Sequence, residues 1–169
     1  MNIPFQNITN QYNIKKFTEK DIPDIYKLCK GNTTYYEYMK MEPTFENLKE
    51  VLTALPPQKS LDDKYFIGFY KEEQLVALLD LCLGFPEKET AYIGWFMVKK
   101  ELHNTGIGKK IINDLRIFLK QEKFLYVELG CIKDNKEAQY FWKKNGFSFT
   151  GSESDTGEYI VLGMKLNLV

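Results

Sequence analysis

Two glycines one residue apart, Gly106 and Gly108, stand where a helical pattern of apolar residues begins. The apolar segment before them is typical of a strand that ends at Val98, so the pair lies at a strand-to-helix junction. The first N–H groups of a helix have no internal partners and lie at the positive end of the helix dipole, and glycine lets a ligand approach closely. We expect a phosphate group here; a glycine-rich turn without a ligand is the alternative that the glycines alone leave open.

Two common phosphate-binding motifs do not fit this segment. A Walker A loop needs a glycine where His103 stands and a serine or threonine where Lys110 stands. A dinucleotide fingerprint needs a third glycine at the position of Ile111 and expects the motif after the first strand of a doubly wound sheet. The segment is therefore neither a Walker A loop nor a dinucleotide-binding fingerprint.

Few side chains are candidates for acid–base chemistry. Asp80 interrupts the apolar segment LVALLDLCL, where an ionised carboxylate is costly unless it is paired or used, so it is our first candidate for a general base. A structural carboxylate, hydrogen-bonded to backbone at the edge of a sheet, is the alternative. Glu128 on the next parallel strand is the second candidate. His103 belongs to the loop, and Cys131 is better explained as a small core residue than as a covalent nucleophile.

The elements that must position these residues follow from the apolar spacing, which predicts a mixed α/β class with about seven strands and four helices. The strands are predicted at residues 13 to 18, 64 to 70, 74 to 85, 90 to 98, 124 to 132, 147 to 151 and 158 to 168. The helices are predicted at residues 19 to 30, 44 to 55, 106 to 119 and 135 to 146. The second, third and fourth strands read as an antiparallel meander, and the next strand–helix–strand unit as a parallel, right-handed crossover.

Composition places the 169 residues in a single domain, residues 1 to 169, with 44% hydrophobic residues and no repeat or linker. The 23 basic and 23 acidic residues cancel, and no block of like charges indicates nucleic acid or a membrane surface as a partner. The cysteines Cys29, Cys82 and Cys131 lie far apart, so we expect neither a metal site nor disulfides. With no leader pattern and no apolar run near 18 residues, we expect a cytoplasmic protein.

Two segments resemble the GNAT superfamily of acyl-CoA-dependent N-acyltransferases. Residues 103 to 108 are similar to its pyrophosphate loop, Q/R-x-x-G-x-G/A, with His103 in place of the first residue. The segment DNKEAQYFWKKNGF, about thirty residues later, is similar to its second signature, an N-x-x-A followed by an aromatic pair, basic residues and G-F. The resemblance covers almost the whole chain and implies a central, mostly antiparallel sheet with one parallel, splayed pair of strands.

The resemblance also implies where acetyl-CoA binds. The loop amides would hold the pyrophosphate, pantetheine would lie along the strand that ends at Val98, and a wall near the thioester would come from the second signature. Lys109, Lys110 and Lys144 would assist by charge, although for each lysine singly a solvated surface position is favoured. The implied cofactor-binding residues are Met97, Val98, His103, Asn104, Thr105, Gly106, Ile107, Gly108, Lys109, Asn135, Ala138, Phe141 and Lys144.

Acyl transfer to an amine needs a base, because an alkyl ammonium has a pKa of about 10, and a donor for the oxyanion, implied to be a backbone N–H near Val98. Many members of this superfamily carry a tyrosine that acts as the general acid at the position of Trp142, so this chain departs from the superfamily pattern there. Tyr140 is the nearest tyrosine and our candidate acid, with a packing or surface position as its alternative and water as another donor.

These observations predict an N-acetyltransferase that acts on a primary amine of a small molecule or peptide in a ternary complex, without a metal. The tyrosine-rich segment NTTYYEYMK, residues 32 to 40, would wall the acceptor site, and the identity of the acceptor stays open, as does the choice between monomer and homodimer. A catalytically silent acyl-CoA-binding or regulatory module is the main alternative, and a nucleotide-binding protein is a third.

Overall fold

A computed structural model describes residues 2 to 169 and contains one seven-stranded sheet in the order β1-β2-β3-β4-β5-β7-β6. The strands are β1 Asn13–Lys16, β2 Lys64–Lys71, β3 Gln74–Leu83, β4 Thr90–Val98, β5 Tyr126–Ile132, β6 Ser148–Asp155 and β7 Ile160–Asn167. All neighbouring strands pair antiparallel except β4 and β5, which are parallel. The predicted mixed class, the seven strands and the single parallel pair are confirmed.

Five α-helices accompany this sheet in the described chain, one more than predicted. They are α1 Ile22–Gly31, α2 Thr33–Met39, α3 Phe45–Thr53, α4 Ile107–Gln121 and α5 Lys136–Lys144. The missed helix, α2, is seven residues long and consists largely of threonine and tyrosine, which are weak helix formers. Its buried residue is Tyr36, so no periodic apolar stripe marks it in the sequence. Tertiary packing of Tyr36 with α1 and α3 therefore supports a helix that local propensity does not predict.

The helices cover both faces of the sheet. Helices α4 and α5 pack on one face, where Phe96 and Val98 of β4 lie, and α1, α2 and α3 pack on the other, where Trp95 and Met97 lie. This alternation follows from the two-residue period of a strand. Strand β4 is thus the element that contributes side chains to both layers.

The parallel pair separates halfway along β4. Register runs from Thr90 opposite Tyr126 to Ile93 opposite Leu129 and ends there, although both strands continue. The separation coincides with a β-bulge, since Asp80 of β3 pairs with Trp95 and the next residue pairs with Ile93, which leaves Gly94 as the extra residue. The bulge bends β4 away from β5, and the predicted splayed pair is confirmed.

Candidate active site

The separated half of β4 presents unpaired peptide groups to the opening beside β5. The amide of Lys99 donates to the carbonyl of Val76, which fixes the alternation of the antiparallel β3–β4 ladder. By that alternation the peptide groups of Met97 face β3, and those of Phe96 and Val98 face the opening. An extended, amide-bearing ligand could pair with this edge as an added strand.

The carbonyl of Val98, at the end of this edge, is fixed by two side chains. Nε2 of His103 donates to it at 2.8 Å, and Nδ2 of Asn32 donates to it at 3.3 Å and to the carbonyl of Leu28 at 2.9 Å. Because a carbonyl only accepts, the proton of His103 is on Nε2. The sequence analysis did not single out Asn32, which joins the α1–α2 junction to the end of β4; only the tertiary contact reveals its role.

The segment after His103 forms an open cradle of N–H groups at the start of α4. Asn104 and Gly106 have positive φ angles of 60° and 88°, and Gly106 is the N-cap residue. The hydroxyl of Thr105 donates to the carbonyl of Leu102 at 2.6 Å and so leaves the helix start without a side-chain cap. Throughout the part of the chain that the structure describes, the backbone N–H groups of residues 104 to 109 have no acceptor. This arrangement suits a phosphate or pyrophosphate group.

Gly108 brings this cradle against β4 and α5. A Cβ atom on Gly108 would lie 3.2 Å from Cε2 of Phe141, which it would crowd, and 3.5 Å from Cγ2 of Val98, which it would contact. Phe141 stacks on Phe96 with ring centroids 6.1 Å apart and an interplanar angle of 20°. The end of β4, the start of α4 and the inner face of α5 therefore meet at one place. Ala138 packs against the same core.

The remaining residues of the second signature lie on other parts of α5. Oδ1 of Asn135 accepts from the N–H of Ala138 at 3.0 Å, so Asn135 caps the helix. Trp142 is buried in the core against Phe147, with ring centroids 5.1 Å apart. Tyr140 is 61% exposed, and Nζ of Lys144 lies 4.7 Å from its ring centroid. The structure therefore places Tyr140 on the outer face of α5, away from the stack formed by Phe141.

Asp80 lies on the opposite face of the sheet, beside the bulge. Nζ of Lys64 is 2.7 Å from both of its carboxylate oxygens, and Oδ2 lies 3.1 Å from where a Cβ of Gly94 would be. Burial raises the pKa of Asp80, and the charge and hydrogen bonds of Lys64 partly oppose that rise. The sequence analysis missed Lys64, because pairing a residue 16 positions away requires the register of β2 and β3. Strand β3 is central in the sheet, so Asp80 is not an edge residue.

Glu128, the second candidate base, lies in the closed part of the parallel pair, opposite Tyr92. Its Oε1 is 2.9 Å from Nζ of Lys165, which also lies 3.8 Å from the ring centroid of Tyr126. Asp80 and Glu128 thus belong to separate ion pairs, one with Lys64 and the other with Lys165.

Aromatic side chains from α2 and the sheet border the face on which Asp80 lies. Tyr35 stacks on Trp95 with centroids 6.1 Å apart, and Trp95 stacks on Phe66 at 5.9 Å. Nε1 of Trp95 is buried and has no hydrogen-bond partner among the described residues. Nζ of Lys40 donates to the carbonyl of Glu158 at 2.6 Å and joins the end of α2 to the β6–β7 turn. The tyrosine-rich segment therefore forms a wall above this face.

Cys131 is 4% exposed, and burial raises the pKa of its thiol to about 11. A protonated thiol is a poor nucleophile, which agrees with its interpretation as a core residue. None of the helices in residues 2 to 169 is long and apolar enough to cross a membrane. Those residues also contain no group of three or more His, Cys, Asp or Glu side chains that could hold a metal ion.

Comparison with solved structures finds close likeness of fold at low sequence identity. An acetyltransferase from Thermus thermophilus superposes with a TM-score of 0.76 and 20% identity over 93% of this chain and 97% of that one. The PaiA N-acetyltransferase from Thermoplasma acidophilum, solved in complex with coenzyme A, gives 0.65 and 18% over 91% and 97%. A spermidine N-acetyltransferase chimera derived in part from Vibrio cholerae gives 0.70 and 16% over 94% and 96%.

No curated protein sequence matches the chain. The model of the acetyltransferase (GNAT) family, in contrast, matches residues 23 to 147, about three quarters of the sequence. The matched region includes the cradle at the start of α4, the splayed edge of β4 and the inner face of α5. By this match and this geometry, the chain belongs to the acetyltransferase (GNAT) family, whose members depend on an acyl-CoA.

Proposed function

We propose that this protein transfers an acetyl group from acetyl-CoA to a primary amine of a small molecule, by direct attack in a ternary complex. The observation that carries the proposal is the juxtaposition of two sets of unpaired backbone groups. The N–H groups of residues 104 to 109 start α4, and the N–H and C=O groups of Phe96 and the N–H group of Val98 line the opening beside β5. Together they suit a ligand with a pyrophosphate at one end and an amide-bearing arm at the other.

The residues present fit acetyl-CoA. The cradle of N–H groups would bind the pyrophosphate, with Lys109 exposed on the first turn of α4, whereas Lys144 is exposed on the outer face of α5 beside Tyr140. The absence of a side chain on Gly108 keeps the cradle close to Val98 and Phe141. When bound, acetyl-CoA supplies an acyl thioester that is activated toward amines. Structures named for N-acetyl transfer and for coenzyme A share this fold, which supports the choice of ligand.

The acceptor would approach from the face that carries Asp80 and Trp95. Tyr35 and Trp95 provide aromatic surfaces that attract an ammonium group, and Asp80 provides a carboxylate beside them. The acceptor ammonium gives one proton to a base, Asp80 or Glu128. The neutral nitrogen then forms the amide bond to the acetyl carbon, as sulfur leaves with the second nitrogen proton. The chain contributes orientation and exclusion of water in addition to the base.

A silent acyl-CoA-binding module is the second candidate, and one observation favours it. The α5 position at which relatives carry an acidic tyrosine is Trp142, which is buried in the core, and Tyr140 faces solvent. The proposed reaction therefore gives Tyr140 no role and relies on water or on the nitrogen proton for the leaving sulfur.

Thiol release from acetyl-CoA, measured with a colorimetric thiol reagent, separates the two candidates. The acceptors are spermidine, an aminoglycoside, a free amino acid and a peptide with a free N-terminus, with a reaction lacking amine as the blank. An enzyme releases thiol with at least one amine, and mass spectrometry finds that amine acetylated. A silent module binds CoA in calorimetry but releases thiol at the blank rate with every amine, and that result would refute the proposal. Failure to bind CoA, with a thermal shift by ATP or NAD instead, would indicate a nucleotide-binding protein.

A further inference from the structure

We infer that Lys64 and Asp80 form a catalytic unit in which Asp80 is the base that takes the proton from the acceptor ammonium and Lys64 is the positioning residue that orients its carboxylate. The inference rests on the proposed function and chooses between its two candidate bases. It adds Lys64, whose role the sequence does not indicate.

Within the ion pair, Lys64 is the more deeply buried member and Asp80 is the member nearer the solvent. Nζ of Lys64 lies 2.7 Å from both Oδ1 and Oδ2 of Asp80, so the carboxylate cannot rotate without losing a contact. The side chain of Lys64 is 4% exposed, whereas that of Asp80 is 15% exposed. The carboxylate is therefore the member of the pair that another molecule can reach. An ammonium group that approaches it meets an oriented acceptor and not the competing lysine.

Asp80 also lies where the sheet opens. Its Oδ2 is 3.1 Å from the position of a Cβ on Gly94, the bulge residue at which β4 leaves β5. A side chain at residue 94 would crowd this carboxylate and require it to shift by a few tenths of an ångström, so the glycine lets Asp80 lie against the β4 backbone. Glu128, by contrast, faces Tyr92 within the paired half of β4 and β5. The geometry therefore favours Asp80 as the group beside the reacting atoms.

Few other charges face Asp80. From β2 it meets Lys64, and on its own strand the thiol of Cys82 is two residues away. The ion pair of Lys59 and Asp63, with atoms 3.1 Å apart, lies near Cys82. From β4 the neighbours are the uncharged Gly94 and Trp95, and α2 adds Tyr35, stacked on Trp95. Lys64 is thus the charge that controls the proton affinity of Asp80.

The first experiment measures kcat as a function of pH with acetyl-CoA and the most active amine of the panel. Removing the positive charge in Lys64→Met raises the pKa of the carboxylate, so the acidic limb of the profile moves up by about one to three pH units. Lys64→Arg retains a cation and is expected to keep the limb near its wild-type position. Asp80→Asn is expected to lower kcat by about 100-fold and to abolish the limb, with unchanged affinity for CoA. An acidic limb that does not move in Lys64→Met would overturn the inference.

The double variant Lys64→Met/Asp80→Asn covers the case in which the single lysine variant does not fold, because it leaves no unpaired charge buried. If Lys64 acts through Asp80, the double variant has the same low turnover as Asp80→Asn alone. A further loss in the double variant, as large as the loss that Lys64→Met causes in the wild-type background, would show that Lys64 acts separately and would refute the unit. For a Lys64→Met protein that does not fold, the double variant is compared directly with Asp80→Asn, and a turnover well below that of Asp80→Asn refutes the unit by itself.

A readout that needs no acceptor distinguishes this inference from the proposed function. Protein labelled with carbon-13 at the aspartate carboxyl groups gives one signal that is missing in Asp80→Asn. That signal is expected to shift when acetyl-CoA is added, because Asp80 borders the opening. Its titration midpoint is expected to rise in Lys64→Met. If acetyl-CoA binds and the signal stays unchanged, Asp80 is remote from the thioester and the inference is wrong, whether or not any amine is acetylated.

Discussion

Nε2 of His103 donates to the carbonyl oxygen of Val98 at 2.8 Å, which ties the residue just before the cradle of N–H groups to the last residue of β4. The histidine thereby occupies the place at which the family pattern has arginine or glutamine, and its ring serves the backbone. His103→Ala removes this hydrogen bond, which holds the loop in place. We expect the binding free energy of CoA to weaken by about 1 kcal/mol, which is about fivefold in affinity by calorimetry. His103→Gln keeps an N–H donor of similar reach and should bind CoA nearly as the wild type does.

The two variants together distinguish the roles of the side chain. Equal weakening in His103→Ala and His103→Gln would show that the imidazole contacts CoA itself. Unchanged binding in both would show that Asn32 alone is enough to hold the Val98 carbonyl, to which its Nδ2 donates at 3.3 Å.

Gly106 can be tested against a matched glycine elsewhere. Gly106 and Gly151 have φ angles of 88° and 89°, and a Cβ on either would meet no atom within 4 Å. Valine at either position therefore costs about 1 to 2 kcal/mol of backbone strain and should lower the melting temperature similarly. Only Gly106→Val disturbs the cradle of N–H groups, and losing one phosphate hydrogen bond of about 1.5 to 3 kcal/mol weakens CoA binding tenfold or more. Equal CoA affinity in Gly106→Val and Gly151→Val would contradict the phosphate assignment.

The buried thiol of Cys131 predicts a mechanism without an acyl-enzyme. With its pKa raised to about 11 by burial, only about one thiol in 10,000 is ionised at pH 7. We expect initial-rate lines that intersect when both substrates are varied, and turnover within about twofold of wild type in Cys131→Ala. Parallel lines, with an acetylated protein in the mass spectrum that disappears in Cys131→Ala, would instead establish a covalent route.

The local sequence pattern predicted those features of the fold that depend on residues close together in the chain. Strand β4 begins and ends at the predicted residues 90 and 98, and the predicted hairpin between β2 and β3 is present, with Lys71 opposite Gln74. The cradle at the start of α4 follows from the two glycines and the change from strand to helix period. Helix α2 does not follow, because its stability comes from Tyr36 in a tertiary cluster and not from a repeating stripe.

The sequence predicted the backbone part of the candidate site better than it predicted the side-chain part. The unpaired amides at residues 104 to 109 need only the position of a helix start, which apolar spacing provides. The partner of Asp80 depends on which residue of β2 lies beside it, and the exposed position of Tyr140 depends on which face of α5 meets Phe96. Strand register and helix rotation are set by tertiary packing, so a single sequence leaves them open.

Asp21 predicts how stability depends on pH. The residue is 4% exposed, and its carboxylate accepts from the N–H of Thr18 at 2.8 Å and from the hydroxyl of Thr18 at 3.0 Å and pairs with Lys15. Burial alone would raise the pKa of Asp21, but the hydrogen bond from Lys15 and those from Thr18 outweigh it and lower the pKa. The unfolded chain therefore binds this proton more tightly than the native protein does. The stabilisation that Asp21 contributes is complete above the ordinary pKa of about 4 and is lost as pH falls through the lowered native value.

Asp21→Asn should cost about 1 to 2 kcal/mol in urea unfolding at pH 7 and less at pH 3, where the carboxyl group of the unfolded chain is mostly protonated and part of the wild-type stabilisation is gone. Asp134→Asn changes an exposed aspartate and should stay within about 0.5 kcal/mol of wild type at both values. A cost for Asp21→Asn that is as large at pH 3 as at pH 7 would mean that the shape of the cap, and not its charge, stabilises the start of α1.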